Sequence, residues 1–307
     1  MADHRDHAMS ALGSAAADYL AVRRALGYKL DHAETLLGSF VDYLDARGIT
    51  VVTVAAAVEW ATGSAPRSNG ASRLTTVRCF ARYLQALDPV HEVPPTGILP
   101  QRHNRPIPHL FTDTEINALM DAARRLDPPL HAATTETMIG LLAVTGMRIG
   151  EVLRLNSVDV DWQTGVVTVW LSKFNKSRHV PVGATTLKAL GRYRQHAPSD
   201  ETPALFVSSA GQRITYPAFA GAFRRLLDVT GITARSGRAR IHLRHSFAVR
   251  TVLGWYRDGA DVHALLPRLS TYLGHVAPSS TYWYLSAAPE LMALAAQRLD
   301  DRQEVRR

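Results

Sequence analysis

Residues 1–90 carry apolar side chains at the spacing of α-helices, with polar side chains between them. The clearest apolar stripe consists of Leu36, Leu37, Phe40, Val41 and Leu44. Asp31 and Glu34 have the spacing of a capping box and predict where this helix begins, and Gly48 predicts where it ends. Similar patterns predict three further helices: one ending near Leu26, one from Thr53 to Gly63, and one from Ser72 to Leu87. Because no strand pattern occurs, this segment is predicted to form a small helical bundle.

A proline-rich segment follows the predicted bundle. Six prolines lie between Asp88 and Leu110, and the apolar residues there have no helical period. Such a composition favours an extended connection, so we predict an interdomain linker over residues 91–110.

Residues 111–307 mix helix and strand patterns. Thr112 and Glu115 have the spacing of a capping box and predict a helix through about Arg125. Residues 165–171 and 178–182 are rich in β-branched residues and predict a hairpin. Further helices are predicted at 132–144, 184–196, 216–230, 243–255, 262–273 and 289–299. The predicted fold class is therefore mainly α with a small antiparallel β-sheet (α+β), made of a helical bundle and a mostly helical second domain.

The charge of the chain favours a polyanionic partner. The net charge is +8, and only four of the 35 cationic side chains are lysine. Residues 1–105 hold 11 Lys and Arg against 10 Asp and Glu, so the surplus lies in residues 106–307, with 24 against 17. Arginine binds phosphate with two parallel hydrogen bonds, which makes nucleic acid a candidate partner, although an Arg-rich and Ala-rich composition also arises from a GC-rich genome.

Four clusters in the second domain carry side chains suited to phosphate chemistry. Arg148 lies in the turn Thr-Gly-Met-Arg-Ile-Gly-Glu, which opens a short helix, and Lys173 lies on the predicted hairpin. Arg244 lies in the run His-Leu-Arg-His-Ser-Phe, where His242 is two residues before it. His275 lies in Leu-Gly-His, and Tyr284 follows it by nine residues.

These clusters, in this order, resemble the tyrosine recombinase (phage integrase) family over nearly the whole chain. The resemblance rests on three motifs and one spacing. The first motif, Thr-Gly-x-Arg-x-x-Glu, is matched by residues 145–151, and the second, Lys-x-Arg-x-x-Pro after the hairpin lysine, is matched by residues 176–181. The third motif, Leu-Arg-His-x-Phe-Ala, is matched by residues 243–248, and the spacing is the nine-residue step from His275 to Tyr284. The resemblance implies a catalytic domain over residues 111–307 and a core-binding domain that closes over DNA at 1–90.

The resemblance also implies a role for each residue. Tyr284 is the expected nucleophile, with Tyr282 as a rival, and Arg148 and Arg244 are the expected ligands of the phosphate oxygens. Lys173 is the expected proton donor to the leaving 5′ oxygen, and His275 and His242 are expected to assist proton transfer. Glu151 is expected to position Arg148 through a helical salt bridge.

The chemistry that such residues support explains why neither a metal ion nor another cofactor is expected. Attack by a tyrosyl oxygen on a phosphodiester adds negative charge to the non-bridging oxygens, which two arginines can neutralise. The resulting 3′-phosphotyrosyl bond conserves the energy of the broken bond, so rejoining requires no ATP. The sequence contains no phosphate-binding Gly-rich loop with Lys-Ser/Thr and no cluster of carboxylates for two magnesium ions.

One departure from the family pattern keeps other functions open. The family has its histidine three residues before the second arginine, whereas here Ile241 holds that position and His242 is one residue too close to Arg244. Residues two apart on a helix do not share a face. A catalytically impaired DNA-binding relative therefore stays an alternative, as does a DNA-relaxing enzyme similar to the type IB topoisomerases.

The expected partner is double-stranded DNA. The predicted contacts are Arg73, Arg78, Arg82, Lys176, Arg178, Arg235, Arg238 and Arg240. The resemblance implies a homotetramer on two DNA sites, a monomer or dimer off DNA, exchange of the helix at 289–299 between protomers, and room for accessory recombination proteins. Residues 269–285 are most similar to mobile-element members. The absence of an apolar run of 18 residues and the single cysteine predict a cytoplasmic, nucleoid-associated protein without a membrane span; Cys79 is expected to be buried.

Overall fold

The computed structural model describes residues 10–63, 69–100, 108–170, 177–197, 202–234 and 241–274. The chain divides into two compact units, Met1–Arg105 and Pro106–Arg307. None of the described helices has the length and apolarity that a membrane crossing requires. The mainly helical fold with one small antiparallel sheet confirms the predicted fold class.

The first unit is a bundle of helices around one apolar core. Its helices are α1 (Ala11–Ala25), α2 (Asp31–Asp45), α3 (Val54–Gly63) and α4 (Gly70–Leu87). The core side chains include Leu37, Phe40, Leu44, Trp60 and Phe80, all at most 2 % exposed. The predicted apolar stripes therefore face this core, because residues at i, i+3 and i+4 lie on one side of a helix.

Two predictions in this unit were wrong. Asp31 does not cap α2, because it is already the first helical residue and follows Leu30, which has a left-handed backbone (φ 53°). Glu34 instead accepts two hydrogen bonds from Arg24, at 2.6 and 3.2 Å. Cys79 is exposed rather than buried, because the apolar stripe of α4 runs through its neighbours on the helix and turns Cys79 outward.

Residues 91 and 92, at the start of the predicted linker, make contacts within the first unit. His91 is buried and accepts a hydrogen bond from the backbone N–H of Val52, at 3.1 Å. Glu92 accepts another from the N–H of Val54, at 2.7 Å. These contacts make residues 91–92 part of the first unit, whereas Leu110 packs in the second unit.

The second unit surrounds its sheet with helices. The helices are α5 (Asp113–Ala123), α6 (Pro129–Thr145), α7 (Ile149–Arg154), α8 (Ala184–Arg194), α9 (Tyr216–Thr230), α10 (Leu243–Arg257) and α11 (Val262–Leu273). The strands β1 (Val160–Asp161), β2 (Val166–Val169) and β3 (Arg178–Pro181) form an antiparallel sheet in that order. The predicted hairpin is β2–β3, with Val169 opposite Arg178; the pattern did not predict the two-residue strand β1.

The start of α5 confirms the predicted capping box. Thr112 accepts a hydrogen bond from the N–H of Glu115, and Glu115 accepts one from the N–H of Thr112. The most apolar helix of the second unit, α6, is surrounded by other elements, with Met138, Ile139 and Leu142 at most 1 % exposed. Because α6 is fixed on most sides, the turn at its C-terminal end has a fixed position, and that turn leads to Arg148.

Candidate active site around Arg148, Glu151 and Arg244

Arg148 lies where the chain leaves α6 and enters α7. Gly146 ends α6 with a left-handed backbone (φ 61°), and Arg148 is the residue directly before the first residue of α7. A β-carbon on Gly146 would overlap the ring of Phe247, so only glycine satisfies both the backbone angle and this packing. The turn therefore places Arg148 at the N-terminus of a helix, beside the start of α10.

Glu151 is the buried acceptor at the centre of the site. Its carboxylate is 1 % exposed and receives four N–H donors from two arginines. Arg148 donates its backbone N–H to Oε2 at 2.9 Å and its Nη1 to Oε1 at 2.8 Å. Arg178 donates Nη1 to Oε1 at 3.0 Å and Nη2 to Oε2 at 2.7 Å. The salt bridge predicted between Glu151 and Arg148 is present, and Arg178 forms a second, two-point salt bridge that was not predicted.

Burial would raise the pKa of Glu151, but the hydrogen bonds and charges of Arg178 and Arg148 outweigh burial and lower it to about 2. Because this pKa lies below the ordinary value of 4.5, ionised Glu151 stabilises the folded state in full above about pH 4.5. The contribution, on the order of 3 kcal/mol, is lost as the pH falls from 4.5 toward 2.

Urea unfolding of the parent and of Glu151→Gln between pH 3 and pH 7 tests this dependence. The difference in unfolding free energy between the two proteins is expected to be largest at neutral pH and to shrink as the pH falls below 4.5. Glu59→Gln, at an exposed glutamate, serves as the control and is expected to change stability little at any pH. A difference between parent and Glu151→Gln that stays constant over this range would contradict the prediction.

Arg244 lies in the first turn of α10 and connects two other elements. Its Nη1 donates to the carbonyl of Gly146 at 2.8 Å, and its Nη2 donates to the carbonyl of Leu273 at 2.5 Å. Arg148 donates its Nη2 to the next carbonyl, that of Gly274, at 2.8 Å. The two arginines predicted as phosphate ligands, 96 positions apart in the sequence, therefore meet at the C-terminal end of α11.

The electrostatics of this arrangement favour an anion. Arg148 and Arg244 both lie at helix N-termini, where the helix macrodipole stabilises negative rather than positive charge. The guanidinium groups of Arg148 and Arg178 share a single carboxylate, that of Glu151, while Arg244 is held by the backbone carbonyls of Gly146 and Leu273. A phosphate bound here would offset both the helix dipoles and the repulsion among the guanidinium groups.

Gly274 closes the site from the side of α11. Its backbone is left-handed (φ 66°), and a β-carbon there would lie 3.3 Å from Nη1 of Arg178 and 3.5 Å from Nη1 of Arg148. A side chain would therefore crowd the two guanidinium groups as well as strain the backbone. Gly274 is also the residue directly before His275. The residue whose carbonyl accepts a hydrogen bond from Arg148 therefore directly precedes the segment with the predicted nucleophile.

Two aromatic residues complete the described part of the site. Tyr272 stacks on Phe247, with ring centroids 5.7 Å apart. Burial raises the pKa of the Tyr272 phenol, and the charges of Arg178 and Arg244 oppose that rise. Tyr272 is therefore a protonated hydroxyl beside the arginines, which the motifs did not single out.

His242 precedes the first residue of α10, and its ring contacts that of His245 with centroids 5.1 Å apart, edge to face. The backbone carbonyl of His242 accepts the N–H groups of His245 and Ser246, as the start of a helix requires. His242 is thus two residues before Arg244, at the start of the same helix.

Arg213 anchors the far end of α7 and was also missed by the motifs. Its Nη1 donates to the carbonyls of Leu153 and Leu155, both at 2.9 Å, and its Nη2 donates to the side chain of Asn156 at 2.5 Å. These bonds satisfy carbonyls at the C-terminus of the helix that begins beside Arg148. A single arginine in a turn has no sequence signal that would have revealed this.

The arginines predicted on α4 have different environments. Arg78 is buried and donates to the carbonyls of Pro94 and Pro95 at 2.7 and 2.9 Å, so its guanidinium group is used inside the first unit rather than at a DNA-facing surface. Arg73 lies over the ring of Trp60 at 3.9 Å. Arg82 is exposed.

Several predicted site residues lie outside the described residues. They are Lys173, Lys176, Arg235, Arg238, Arg240, His275, Tyr282 and Tyr284, together with the predicted helix at 289–299. Their roles stay predictions. Of the predicted catalytic set, the described part of the chain contains Arg148, Arg244 and His242, with Glu151 in support.

The sequence of this chain matches a known protein family and named members of it. The model of the phage integrase family matches residues 109–290. A Sinorhizobium fredii protein named as an integrase/recombinase, y4rB, is 39% identical over 315 residues, which cover 97% of this chain and 100% of that protein. The tyrosine recombinase XerD of Xanthomonas campestris is 33% identical over 247 residues, covering 76% of this chain and 72% of XerD.

Solved structures show the same fold at lower identity. The integrase of the transposon Tn1549, in complex with transposon right end DNA, superposes with a TM-score of 0.65 and 16% identity, covering 94% of this chain and 98% of that one. The XerH recombinase bound to its difH substrate has a TM-score of 0.64 and 18% identity, covering 92% and 83%. The family match over more than half of the residues, together with a relative of 39% identity along nearly its full length, shows that the chain belongs to the phage integrase family of tyrosine recombinases.

Proposed function

We propose that this protein is a site-specific DNA recombinase that cuts and rejoins DNA through a 3′-phosphotyrosyl intermediate and moves a mobile element by integration, excision or transposition. The observation that carries the proposal is the meeting of Arg148 and Arg244 at the end of α11, directly before the segment with His275 and Tyr284. The relatives named integrase/recombinase and the transposon integrase with the same fold support the same conclusion.

The proposed reaction begins with DNA bound so that the scissile phosphate contacts Arg148 and Arg244. Each guanidinium group binds a non-bridging oxygen and stabilises the negative charge that grows there in the transition state. Glu151 keeps Arg148 in place, and the carbonyls of Gly146 and Leu273 do the same for Arg244.

Tyr284 is the proposed nucleophile. Its oxygen forms a bond to phosphorus while the bond from phosphorus to the 5′ oxygen breaks, and the phenol proton passes to a base, for which His275 and His242 are the candidates. Lys173 donates a proton to the leaving 5′ oxygen. The reverse reaction with a 5′ hydroxyl from a second strand rejoins the DNA and releases the tyrosine.

The rest of the chain is proposed to hold DNA and partner protomers. The first unit clamps the duplex, with exposed Arg82 as one phosphate contact. Lys176, Arg235, Arg238 and Arg240 are proposed to contact phosphates from the second unit. Four protomers act on two DNA sites, with accessory proteins where direction is imposed, and the protein works in the cytoplasm at the nucleoid.

A nicked suicide duplex tests the proposal. The binding site is first selected from a random DNA library, and a nick is then placed near it so that the short 5′-hydroxyl fragment diffuses away after cleavage. A covalent adduct on the 3′ phosphate side, formed in the presence of EDTA and stable in denaturing gels, is the expected result. Tight, sequence-selective binding with no adduct at any nick position would instead favour the impaired DNA-binding relative. Relaxation of supercoiled plasmids regardless of their sequence would favour the topoisomerase-like activity.

A further inference from the structure

We infer that Arg178 is a positioning residue, which holds Arg148 in its phosphate-binding orientation through Glu151, rather than a ligand of DNA phosphate. The inference rests on the proposed function and names a residue that acts on one of its phosphate ligands. It replaces the expectation from the sequence motif, which had assigned Arg178 to DNA contact.

The pairing between Arg178 and Glu151 has the geometry of a strong two-point salt bridge. Nη1 and Nη2 of Arg178 donate to the two oxygens of Glu151 at 3.0 and 2.7 Å. The side chain of Arg178 is 12% exposed and that of Glu151 is 1% exposed. Two parallel bonds fix the plane of the carboxylate as well as its position. A guanidinium group held in this way has its two terminal nitrogens turned toward protein rather than toward solvent.

Arg148 depends on the carboxylate that Arg178 fixes. Oε1 of Glu151 accepts from Nη1 of both arginines, at 2.8 Å for Arg148 and 3.0 Å for Arg178. The other anchor of Arg148 is the carbonyl of Gly274 at 2.8 Å. With Oε1 displaced, one of these two anchors is lost, and the guanidinium group of Arg148 can rotate about the other. Because Arg148 is 29% exposed, it has room for such movement and contact with solvent.

Arg178 also fills the space in which Arg148 would otherwise move. Its Nη1 and Cζ lie 3.3 and 3.5 Å from the position of a β-carbon on Gly274, next to Nη1 of Arg148 at 3.5 Å. The two guanidinium groups therefore share a narrow gap against the backbone of Gly274. Arg178 is the first residue of β3 and pairs with Val169 at the end of β2, so a strand of the sheet supports it and, through Glu151, Arg148.

The first test separates positioning from phosphate contact in DNA binding. Arg178→Met is expected to leave the slope of log affinity against log salt unchanged, because no phosphate contact is removed. A direct phosphate ligand would reduce that slope by about 1 when replaced, and this outcome would overturn the inference. Arg154→Gln, which removes one positive charge from an exposed position on α7, is the matched control.

The second test uses the chemistry of the scissile phosphate. Arg178→Met is expected to slow adduct formation on the suicide duplex by about a hundredfold, the loss associated with misplacing one transition-state donor. A methylphosphonate at the scissile position has one fewer negative charge and so relies less on Arg148. The factor by which Arg178→Met slows adduct formation is therefore expected to be at least about tenfold smaller on this substrate. The same reduction is expected for Arg148→Ala. A 5′-thio leaving group needs no proton. If this substrate instead restored the rate of adduct formation in Arg178→Met, Arg178 would be assigned to protonation of the leaving group, and the inference would be overturned.

Two further variants guard against simple unfolding. Arg178→Met leaves Glu151 buried without its two-point partner, so its thermal midpoint is expected to fall. The double variant Glu151→Gln, Arg178→Met removes both charges and is expected to regain much of that midpoint while adduct formation stays slow. Recovery of the rate together with the midpoint would mean that the role of Arg178 is only structural.

A readout without activity keeps this inference distinct from the proposed function. Phenylglyoxal modifies accessible arginines, and peptide mass spectrometry reports the modified fraction at each site. Arg148 is expected to react several-fold faster in Arg178→Met than in the parent, with Arg154 unchanged in both. Equal reactivity of Arg148 in both proteins would overturn the inference even if the parent cuts DNA. A parent that forms no adduct would refute the proposed function, while the labelling result would still decide the role of Arg178.

Discussion

Replacing Tyr284 with phenylalanine is expected to abolish the covalent protein–DNA adduct while leaving DNA binding intact. The substitution removes one oxygen atom, and with it the only side-chain group in the proposed reaction that forms a bond to phosphorus. Loss of a covalent nucleophile removes the reaction path itself, so adduct formation should fall by at least about a thousandfold. The measurement is the yield of adduct on the nicked suicide duplex, with affinity measured separately by gel shift.

Tyr282→Phe is the matched control for this experiment. It removes the same atom two residues earlier, on the rival nucleophile, and is expected to leave adduct formation within a few-fold of the parent. An adduct that persists in Tyr284→Phe and disappears in Tyr282→Phe would assign the reaction to Tyr282.

Arg244→Lys is expected to lower the rate of DNA cleavage by about a hundredfold or more with little change in DNA affinity. Arg244 spans two backbone carbonyls, of Gly146 at 2.8 Å and of Leu273 at 2.5 Å. A lysine ammonium is a single point donor without the planar fork of arginine, so it cannot reproduce the two separate bonds of Nη1 and Nη2 and keep the same orientation toward a phosphate oxygen. The loss of one oriented transition-state donor has an effect of about a hundred- to a thousandfold. Single-turnover cleavage at saturating DNA measures this effect directly.

Arg250→Lys, on the same helix, separates catalysis from the support of α10. Arg250 donates to the carbonyl of Ala143 at 2.8 Å and pairs with Asp113, so it connects α10 to α5 and α6. This substitution is expected to lower the thermal midpoint slightly and to change cleavage by less than about tenfold. Equal effects of Arg244→Lys and Arg250→Lys on cleavage would contradict the role proposed for Arg244.

Local patterns in the sequence predicted most of the helices and the hairpin. Thr112 and Glu115 determine the start of α5 through hydrogen bonds within one turn, and Gly146 ends α6 because few other residues adopt its backbone angle. The capping-box rule failed where the start of a helix depends on more than the spacing of two residues. Asp31 has the spacing of a cap, but the backbone reaches α2 through Leu30 in a left-handed conformation, so Asp31 falls inside the helix.

In the candidate site too, some features follow from local patterns and others depend on the tertiary fold. The motifs identified Arg148 and Arg244. The spacing of Glu151 from Arg148 predicted the salt bridge between these two residues, because residues three apart on a helix are neighbours. The motif also contained Arg178, but spacing could not tell a phosphate ligand from a partner of Glu151. That distinction depends on the tertiary fold, which brings Arg178 of β3 beside Glu151 of α7 and which no local pattern encodes.

The sequence by itself determined the family, the chemistry expected of Tyr284, and the residues that can neutralise a phosphate, because these depend on residue type and on order along the chain. The tertiary structure decided which of those charges are available and which are used within the protein. Arg78 and Arg178 are both cationic residues in plausible DNA-binding positions, yet one binds the carbonyls of Pro94 and Pro95 and the other binds buried Glu151. The physical reason is that a buried polar group must find a partner, and the folded chain supplies those partners from segments that are distant in sequence.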